Sequence, residues 1–150
     1  MRLAIGKARE GVSKGQTPFG ACIVKGNEVV SIAHNLVWKT TDITAHAEIV
    51  AIRAACKRIK TIDLSGCRIY SSYEPCPMCF SACHWARLDS IFYAADIADA
   101  KSAGFNELSV SNIFLKEKGK SPIIVRKGVL KSEAGDLFLK WLKRKDRRGY

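Results

Sequence analysis

Two short segments constrain this chain more than any others: His46-Ala47-Glu48 and Glu74-Pro75-Cys76-Pro77-Met78-Cys79. Together they supply one imidazole, two thiols and a carboxylate that stands apart from them. Imidazole nitrogen and thiolate sulfur are the donors zinc favours, and three protein ligands leave the fourth tetrahedral position open to water. His46, Cys76 and Cys79 meet that requirement. Two thiolates offset the charge of the dication, so such a site acidifies its water less than three neutral histidines would. A separate base is then needed, and Glu48, two residues beyond the histidine, is the candidate proton carrier. The alternative is a purely structural zinc site, which would want a fourth protein ligand. Cys83 and His84 are the available neighbours, but Cys83 reads better as a small buried apolar residue, and a structural site has no use for Glu48.

Both ligand segments sit where helices begin. Thr44 can cap a helix over 44–57 whose apolar positions Ala45, Ile49, Ile52, Ala55 and Cys56 form one stripe. Cys76 can cap a second helix with Pro77 in the favoured first position. The positive end of each helix dipole favours thiolate over thiol, so the fold must bring two helix starts to one ion. Around them, residues 4–12 have helical apolar spacing ended by Gly15. Residues 19–25 and 28–33 read as strands joined by the hairpin signal Gly26-Asn27. Residues 67–73, 89–95 and 123–127 read as further strands, 97–103 as a short helix ended by Gly104, and 137–145 as a closing helix. Strands alternating with helices predict an α/β fold with a central sheet covered by helices.

At 150 residues, 47% apolar and 26% charged, the chain is sized for one domain spanning 1–150. No apolar run approaches the ~20 residues of a membrane span. The opening Met1-Arg2-Leu3-Ala4-Ile5-Gly6-Lys7 lacks the apolar segment of a secretory signal. The expectation is therefore a cytoplasmic protein without a membrane partner. Six cysteines fit free thiols in a reducing compartment better than a disulfide framework, since two of them lie at metal-ligand spacing. The net charge of +11 is concentrated at residues 116–150, where twelve Lys or Arg face four Asp or Glu. It peaks at Lys140, Lys143, Arg144, Lys145, Arg147 and Arg148. A phosphate-binding stripe is one reading, but within the run only Trp141 interleaves, short of the repeated aromatics of a single-strand platform, so a solvated helix face is favoured over a nucleic-acid partner.

Pro18-Phe19-Gly20-Ala21, Thr44-Ala45-His46-Ala47-Glu48 and the Glu-Pro-Cys-Pro-Met-Cys segment, in this order, resemble the cytidine deaminase-like superfamily. Within it the chain is most similar to the small bacterial guanine deaminases and the related plant guanosine deaminases. Phe92-Tyr93-Ala94-Ala95, Asp99, Ala103-Gly104-Phe105 and Tyr150 add to the likeness. The resemblance implies a three-layer α-β-α fold with a five-stranded mixed sheet between helices. It also implies a homodimer in which the basic segment 116–150 is exchanged between protomers. The implied activity is zinc-dependent hydrolytic deamination of a purine, guanine to xanthine and ammonia, with Glu48 catalytic. Asn35 is implied as a contact to the purine ring, Phe19 and Trp85 as pocket walls, and Asp99 as a further substrate contact. The alternatives for these four are a loop cap for Asn35, a helix cap for Asp99, and core aromatics for Phe19 and Trp85. The chain departs from the family at Ile43, where proline is usual, and at Tyr73, where cysteine is common. For the family's C-terminal acidic residue that helps read guanine, Glu133 and Asp136 are the positions expected. Other readings are a guanosine deaminase, a tRNA adenosine or cytosine deaminase, and a zinc-stabilised nucleic-acid-binding module without turnover.

Overall fold

The computed structural model describes residues 1–150 apart from the side chain of Ser102. Five strands and seven helices follow one another as α1 (Arg2–Ser13), β1 (Gly20–Lys25), β2 (Glu28–His34), α2 (Val37–Thr40), α3 (Ala47–Ile59), β3 (Cys67–Tyr73), α4 (Pro77–Trp85), β4 (Ser90–Ala95), α5 (Ile97–Ser102), α6 (Asn112–Lys118), β5 (Ile124–Arg126) and α7 (Lys131–Leu142). The sheet order is β2-β1-β3-β4-β5. β1 runs antiparallel to both β2 and β3, whereas β3, β4 and β5 are parallel. The five-stranded mixed sheet implied by the resemblance is the one observed.

The β1–β2 hairpin turns at Gly26-Asn27, with Lys25 opposite Glu28 and Gly26 at φ +55°, a value glycine adopts without strain. Parallel neighbours need helical crossovers, which bury both faces of a sheet. α1 and α7 pack together on one face, while α3 and α4 pack together on the other. Ile23, Ile69 and Ile91 lie in register across β1, β3 and β4 and are fully buried. Their branched side chains pack well across the pleat. On the neighbouring positions Tyr70 stacks on Phe92 at 4.8 Å. A second apolar cluster, Phe19, Tyr73, Phe105, Phe138 and Trp141, fastens α7 against the ends of β1 and β3. Among the described residues no helix is long and apolar enough to cross a membrane.

Several boundaries differ from the sequence reading. The closing helix begins at Lys131 rather than 137, because Leu130 in the left-handed region turns the chain directly into it. α2 and α6, both short and outside strong apolar periodicity, are additional elements. The residue preceding α3 is His46 itself, in extended backbone, rather than Thr44. Thr44 instead gives its amide and hydroxyl to Asp42 Oδ1 at 2.8 and 2.6 Å, tightening the turn that delivers His46. Cys76 precedes α4 in extended backbone with Pro77 just inside, as expected.

α1 approaches the start of β1 closely enough to require glycine there. A Cβ on Gly20 would stand 2.2 Å from the Ala4 carbonyl oxygen and 2.7 Å from the Ala8 nitrogen, both backbone atoms with no freedom to yield. Gly20→Ala should therefore lower stability by about 3 kcal/mol, the upper end of overpacking costs. A urea midpoint unchanged from the parent protein would show that α1 is not held at this separation.

Candidate active site

The C-terminal ends of β3 and β4 and the N-terminal ends of α3 and α4 meet at one point, the place where open α/β sheets concentrate binding groups. His46 Nδ1 lies 3.6 Å from Cys76 Sγ and 3.6 Å from Cys79 Sγ. Zinc bonds of about 2.1 Å to nitrogen and 2.3 Å to sulfur, at tetrahedral angles, demand an N···S edge of about 3.6 Å. The three donor atoms all lie within 4.8 Å of one another, so the set fits a single zinc ion with no rearrangement of its backbone. Cys83, the alternative fourth ligand, is buried as free thiol deeper in α4, and His84 instead pairs with Ser121 Oγ at 3.0 Å.

The charge pattern around the donors follows from burial. The Cys76 thiol is drawn down to about 4, first by the hydrogen bond from Cys79, then by the bond and charge of His46. Cys79 is pushed well above the ordinary thiol range, by that same bond and by burial. Burial alone would lower His46, but the bond and charge of Cys76, followed by Glu48, leave it raised. The pair is therefore poised as thiolate and thiol when no cation is bound.

Glu48 lies in the first turn of α3 and is buried. Ser71 on β3 donates its hydroxyl to Glu48 Oε1 at 2.5 Å, and Cys79 Sγ reaches Oε2 at 3.5 Å. Burial raises the carboxyl above its ordinary value, against the lowering effect of His46 and Ser71. A carboxyl held this way keeps its proton to higher pH than an exposed one does.

Phe19 borders the same inner cavity as His46, Glu48, Cys76 and Glu107. It also belongs to the aromatic cluster, so it is a core residue and a cavity wall at once. Asn35 is fully buried at the end of β2, and its two halves do different things. Its Oδ1 accepts from Val37 N at 3.0 Å, opening α2, while its Nδ2 donates to the Tyr150 hydroxyl at 2.6 Å.

Two residues expected at the pocket lie elsewhere. Trp85 is 83% exposed at the far end of α4. Nine residues at ~1.5 Å rise carry it roughly 12 Å from the ligand end of that helix. It borders a separate surface hollow of about 950 Å³ with Ile62, His84 and Ile123. Asp99 is the third residue of α5; its Oδ2 accepts from Asp96 N at 3.1 Å and pairs with Lys131 at 3.3 Å, as part of a reciprocal cap. The helix-cap alternative describes it. Glu133 and Asp136 are also away from the donors, both exposed on α7, with Glu133 3.8 Å from Arg2.

The acidic residue that does face the ligands is Glu107, absent from the sequence reading. It follows Phe105, whose buried ring is held by Phe19, Trp141 and Tyr150. Burial first, and then the charge of Cys76, raise its carboxyl to about 7. The signal available in the sequence was position: an acid two residues after a core aromatic that follows a glycine-terminated helix. Glu107 joins Ile43, His46, Cys76, Met78, Leu108 and Tyr150 around an outer cavity of about 320 Å³. Tyr150 forms part of its wall. Its ring lies 5.5 Å from those of His46 and Phe105, and its carbonyl accepts from Asn106 N at 3.0 Å. The tail is fastened by Trp38, whose indole N–H reaches Arg148 O at 3.1 Å while the Arg148 guanidinium lies 4.7 Å above its ring.

The cytidine and deoxycytidylate deaminase zinc-binding region matches residues 1–95. A guanine deaminase of Bacillus subtilis (strain 168) is 46% identical over 108 residues, covering 71% of this chain and 69% of that protein. A tRNA-specific adenosine deaminase of Aquifex aeolicus (strain VF5) is 42% identical over 113 residues, covering 75% of this chain and 72% of that protein. The solved structure of a guanine deaminase from Nitrosomonas europaea superposes with a TM-score of 0.88 at 26% identity, over 95% of this chain and 82% of its own.

The raised carboxyl of Glu107 has a consequence for the metal-free protein. A carboxyl whose folded value is raised from 4.5 to about 7 binds its proton more tightly when folded. The stability it contributes is complete below the lower value and is lost as pH rises through the upper one. Between about pH 5 and about pH 8 the metal-stripped protein should therefore lose roughly 2–4 °C in Tm relative to Glu107→Gln, the size of about 1 kcal/mol after screening of a half-exposed group. Equal pH slopes for the two proteins would mean that Glu107 ionises as an ordinary surface carboxylate.

Proposed function

Because the chain belongs to the cytidine and deoxycytidylate deaminase zinc-binding family, we propose that this zinc-dependent aminohydrolase converts guanine and water to xanthine and ammonia. The observation that carries the substrate assignment is the cavity beside the donor set: about 320 Å³, lined by His46, Cys76, Glu107 and Tyr150, with Tyr150 bonded to Asn35 at 2.6 Å, it has room for a free purine base. The ligand set His46, Cys76 and Cys79 would hold the zinc, which supplies Lewis acidity to the attacking water. Glu48 takes a proton from that water as its oxygen bonds to the amino-bearing ring carbon. It delivers the proton to the adjacent ring nitrogen and then moves a proton to the amine as the carbon–nitrogen bond breaks. Ser71 holds one oxygen of Glu48, leaving the carboxylate aimed along a fixed direction during the transfers. Glu107, with a proton exchangeable near neutral pH, faces the cavity as a second carboxylate able to bond the N–H edge of guanine. Phe19 and His46 offer flat surfaces to the ring, and Asn35 sets where Tyr150 stands beside it.

A homodimer and a cytoplasmic location are part of the same proposal. The hollow bordered by exposed Ile62, Trp85 and Ile124 offers an apolar face for a second copy. The C-terminal segment reaches the site of its own chain here, and exchange between protomers would preserve the same contacts. A ligand set with two thiolates suits reducing surroundings. Deamination of adenosine in tRNA is the second reading, supported by the basic residues 116–150 and by the likeness to the tRNA-specific enzyme.

Ammonia release from guanine, guanosine, adenine, cytosine and a tRNA tests the choice. Guanine should be the best substrate, with turnover changing less than roughly threefold between 50 and 300 mM salt, since a free base carries no phosphate whose counterions are released. Turnover of tRNA alone, steeply suppressed by salt, would replace guanine with RNA. Glu48→Gln should keep its zinc while turnover falls on the order of 10²-fold or more. Loss of zinc in that variant, or near-normal rates, would remove Glu48 from the proton path. Asn35→Ala should reduce kcat/KM for guanine while its Tm moves little, because the bond it loses steadies Tyr150. Unchanged kinetics with a large fall in Tm would leave Asn35 only the role of opening α2.

A further inference from the structure

We propose that Asn112 is a positioning residue for the zinc site: its side-chain amide sets where Cys76 stands by holding the carbonyl of the preceding residue, Pro75. The proposal rests on the zinc reading of His46, Cys76 and Cys79 but not on the choice of substrate.

Asn112 is the first residue of α6 and is fully buried, with its Nδ2 donating to Pro75 O at 2.6 Å and its backbone N–H donating to Glu74 Oε1 at 2.8 Å. The other oxygen of Glu74 accepts from Ile97 N at 3.2 Å, at the start of α5. The two residues before the ligand cysteine are therefore held by two helix starts that contribute no ligand themselves. Pro75 is fully buried, so its carbonyl, shut off from water, needs a donor from the protein, and Asn112 Nδ2 is that donor.

Helix capping does not account for the asparagine. The cap of α6 is made by Ser111, whose Oγ accepts from Phe114 N at 3.2 Å. Nor does packing account for it, because Asn112 Oδ1 is buried with no hydrogen-bond partner among the described residues. An apolar residue would avoid the penalty of that unpaired acceptor. What offsets it is the donor half of the same amide, directed at the carbonyl one residue before a ligand. Groups that orient a metal ligand from outside the coordination sphere govern metal affinity nearly as the ligands do. Asn112 also anchors the far end of the 105–111 loop, whose near end is fixed by Phe105 and which carries Glu107. One side chain thus registers a zinc ligand against the second carboxylate.

Asn112→Asp is close in shape and keeps the backbone bond to Glu74, but it turns the donor into an acceptor facing Pro75 O. Zinc affinity of the folded variant, measured by competition with a chromophoric chelator, should fall by roughly 10–100-fold. Ile91→Val, a core substitution that touches no ligand segment, should leave zinc affinity unchanged and so separates positioning from general loss of stability. With cobalt in place of zinc, the thiolate-to-metal absorption should also shift in Asn112→Asp and not in Ile91→Val. A loss of zinc affinity smaller than fivefold in folded Asn112→Asp overturns the proposal, whatever happens to its stability. If that variant does not fold, Asn112→Ser takes its place with the same fivefold criterion. If Asn112→Ser also fails to fold, Asn112 is a structural residue and the proposal is wrong. Because the readout is zinc binding, a failure to deaminate guanine would count against the substrate assignment and leave this test intact.

Discussion

The organising constraint of this molecule is the concentration of acidic groups around one buried point. Cys76, Cys79 and Glu48 meet within bonding distance, and Glu107 faces them across the cavity. Two like charges 4 Å apart in a medium of effective dielectric about 20 repel by on the order of 4 kcal/mol, comparable with the whole stability of an ordinary domain. Without a cation the cluster keeps protons: burial first raises Glu48 and Glu107, the bond to Cys76 and then burial raise Cys79, the thiolate charge of Cys76 adds to all three, and Cys76 alone is lowered, by the bond from Cys79 and by His46. A dication bound by the thiolates removes the reason for retaining those protons. A zinc ion held by His46, Cys76 and Cys79 would therefore leave the Glu48 carboxyl freer to exchange its proton.

Holding such a cluster in place requires rigid surroundings, and the sheet provides them through its parallel half. β3 ends at Tyr73 and is followed by Glu74, and both residues are tied to other elements. Tyr73 joins the aromatic cluster with Phe19 and Phe138, Glu74 accepts from the starts of α5 and α6, and Glu74 N donates to Ala95 O at 2.7 Å. Cys76 then begins α4 with no free hinge before it. His46 is delivered from the opposite side by the Asp42–Thr44 turn, whose two hydrogen bonds shape the chain just before α3. The two halves of the ligand set come from segments fixed independently, and they agree to within the edge lengths of a zinc tetrahedron.

The outer edge of the site is built differently, from residues 148–150, which add a few polar contacts to the packing of the Tyr150 ring on Phe105. Trp38, Asn35 and Asn106 hold residues 148–150 by one indole bond, one amide bond and one backbone bond. These few polar contacts, part of them solvent-exposed, are weaker than the core packing behind them, so this edge opens at lower free energy than the sheet. The basic residues that dominate the charge of the chain lie in and beside this strap. Arg148 spends its guanidinium on the Trp38 ring, and Arg144 spends its own on Asp146 at 2.7 Å.

How much of this was legible in the chain itself depends on whether a residue's role is local. The His46, Cys76 and Cys79 donor set, the nearness of Glu48 to it, the two helix starts, the Gly26-Asn27 turn and the succession of strands along the chain follow from short-range chemistry: donor types, Pro77 at a first helical position, periodicity of two or of 3.6. Those were determined by the sequence alone. Only the tertiary structure decided that Glu107 rather than Glu133 or Asp136 faces the metal ligands, that Trp85 points outward while Phe19 borders the cavity, and that Asn112 grips Pro75. Asp99 has the charge expected of a substrate contact, yet its place in the first turn of α5 makes it part of a helix cap. Each of these depends on the direction of a side chain relative to an element distant in sequence. Local propensity sets where helices and strands begin, but which groups share a cavity is decided by how those elements pack.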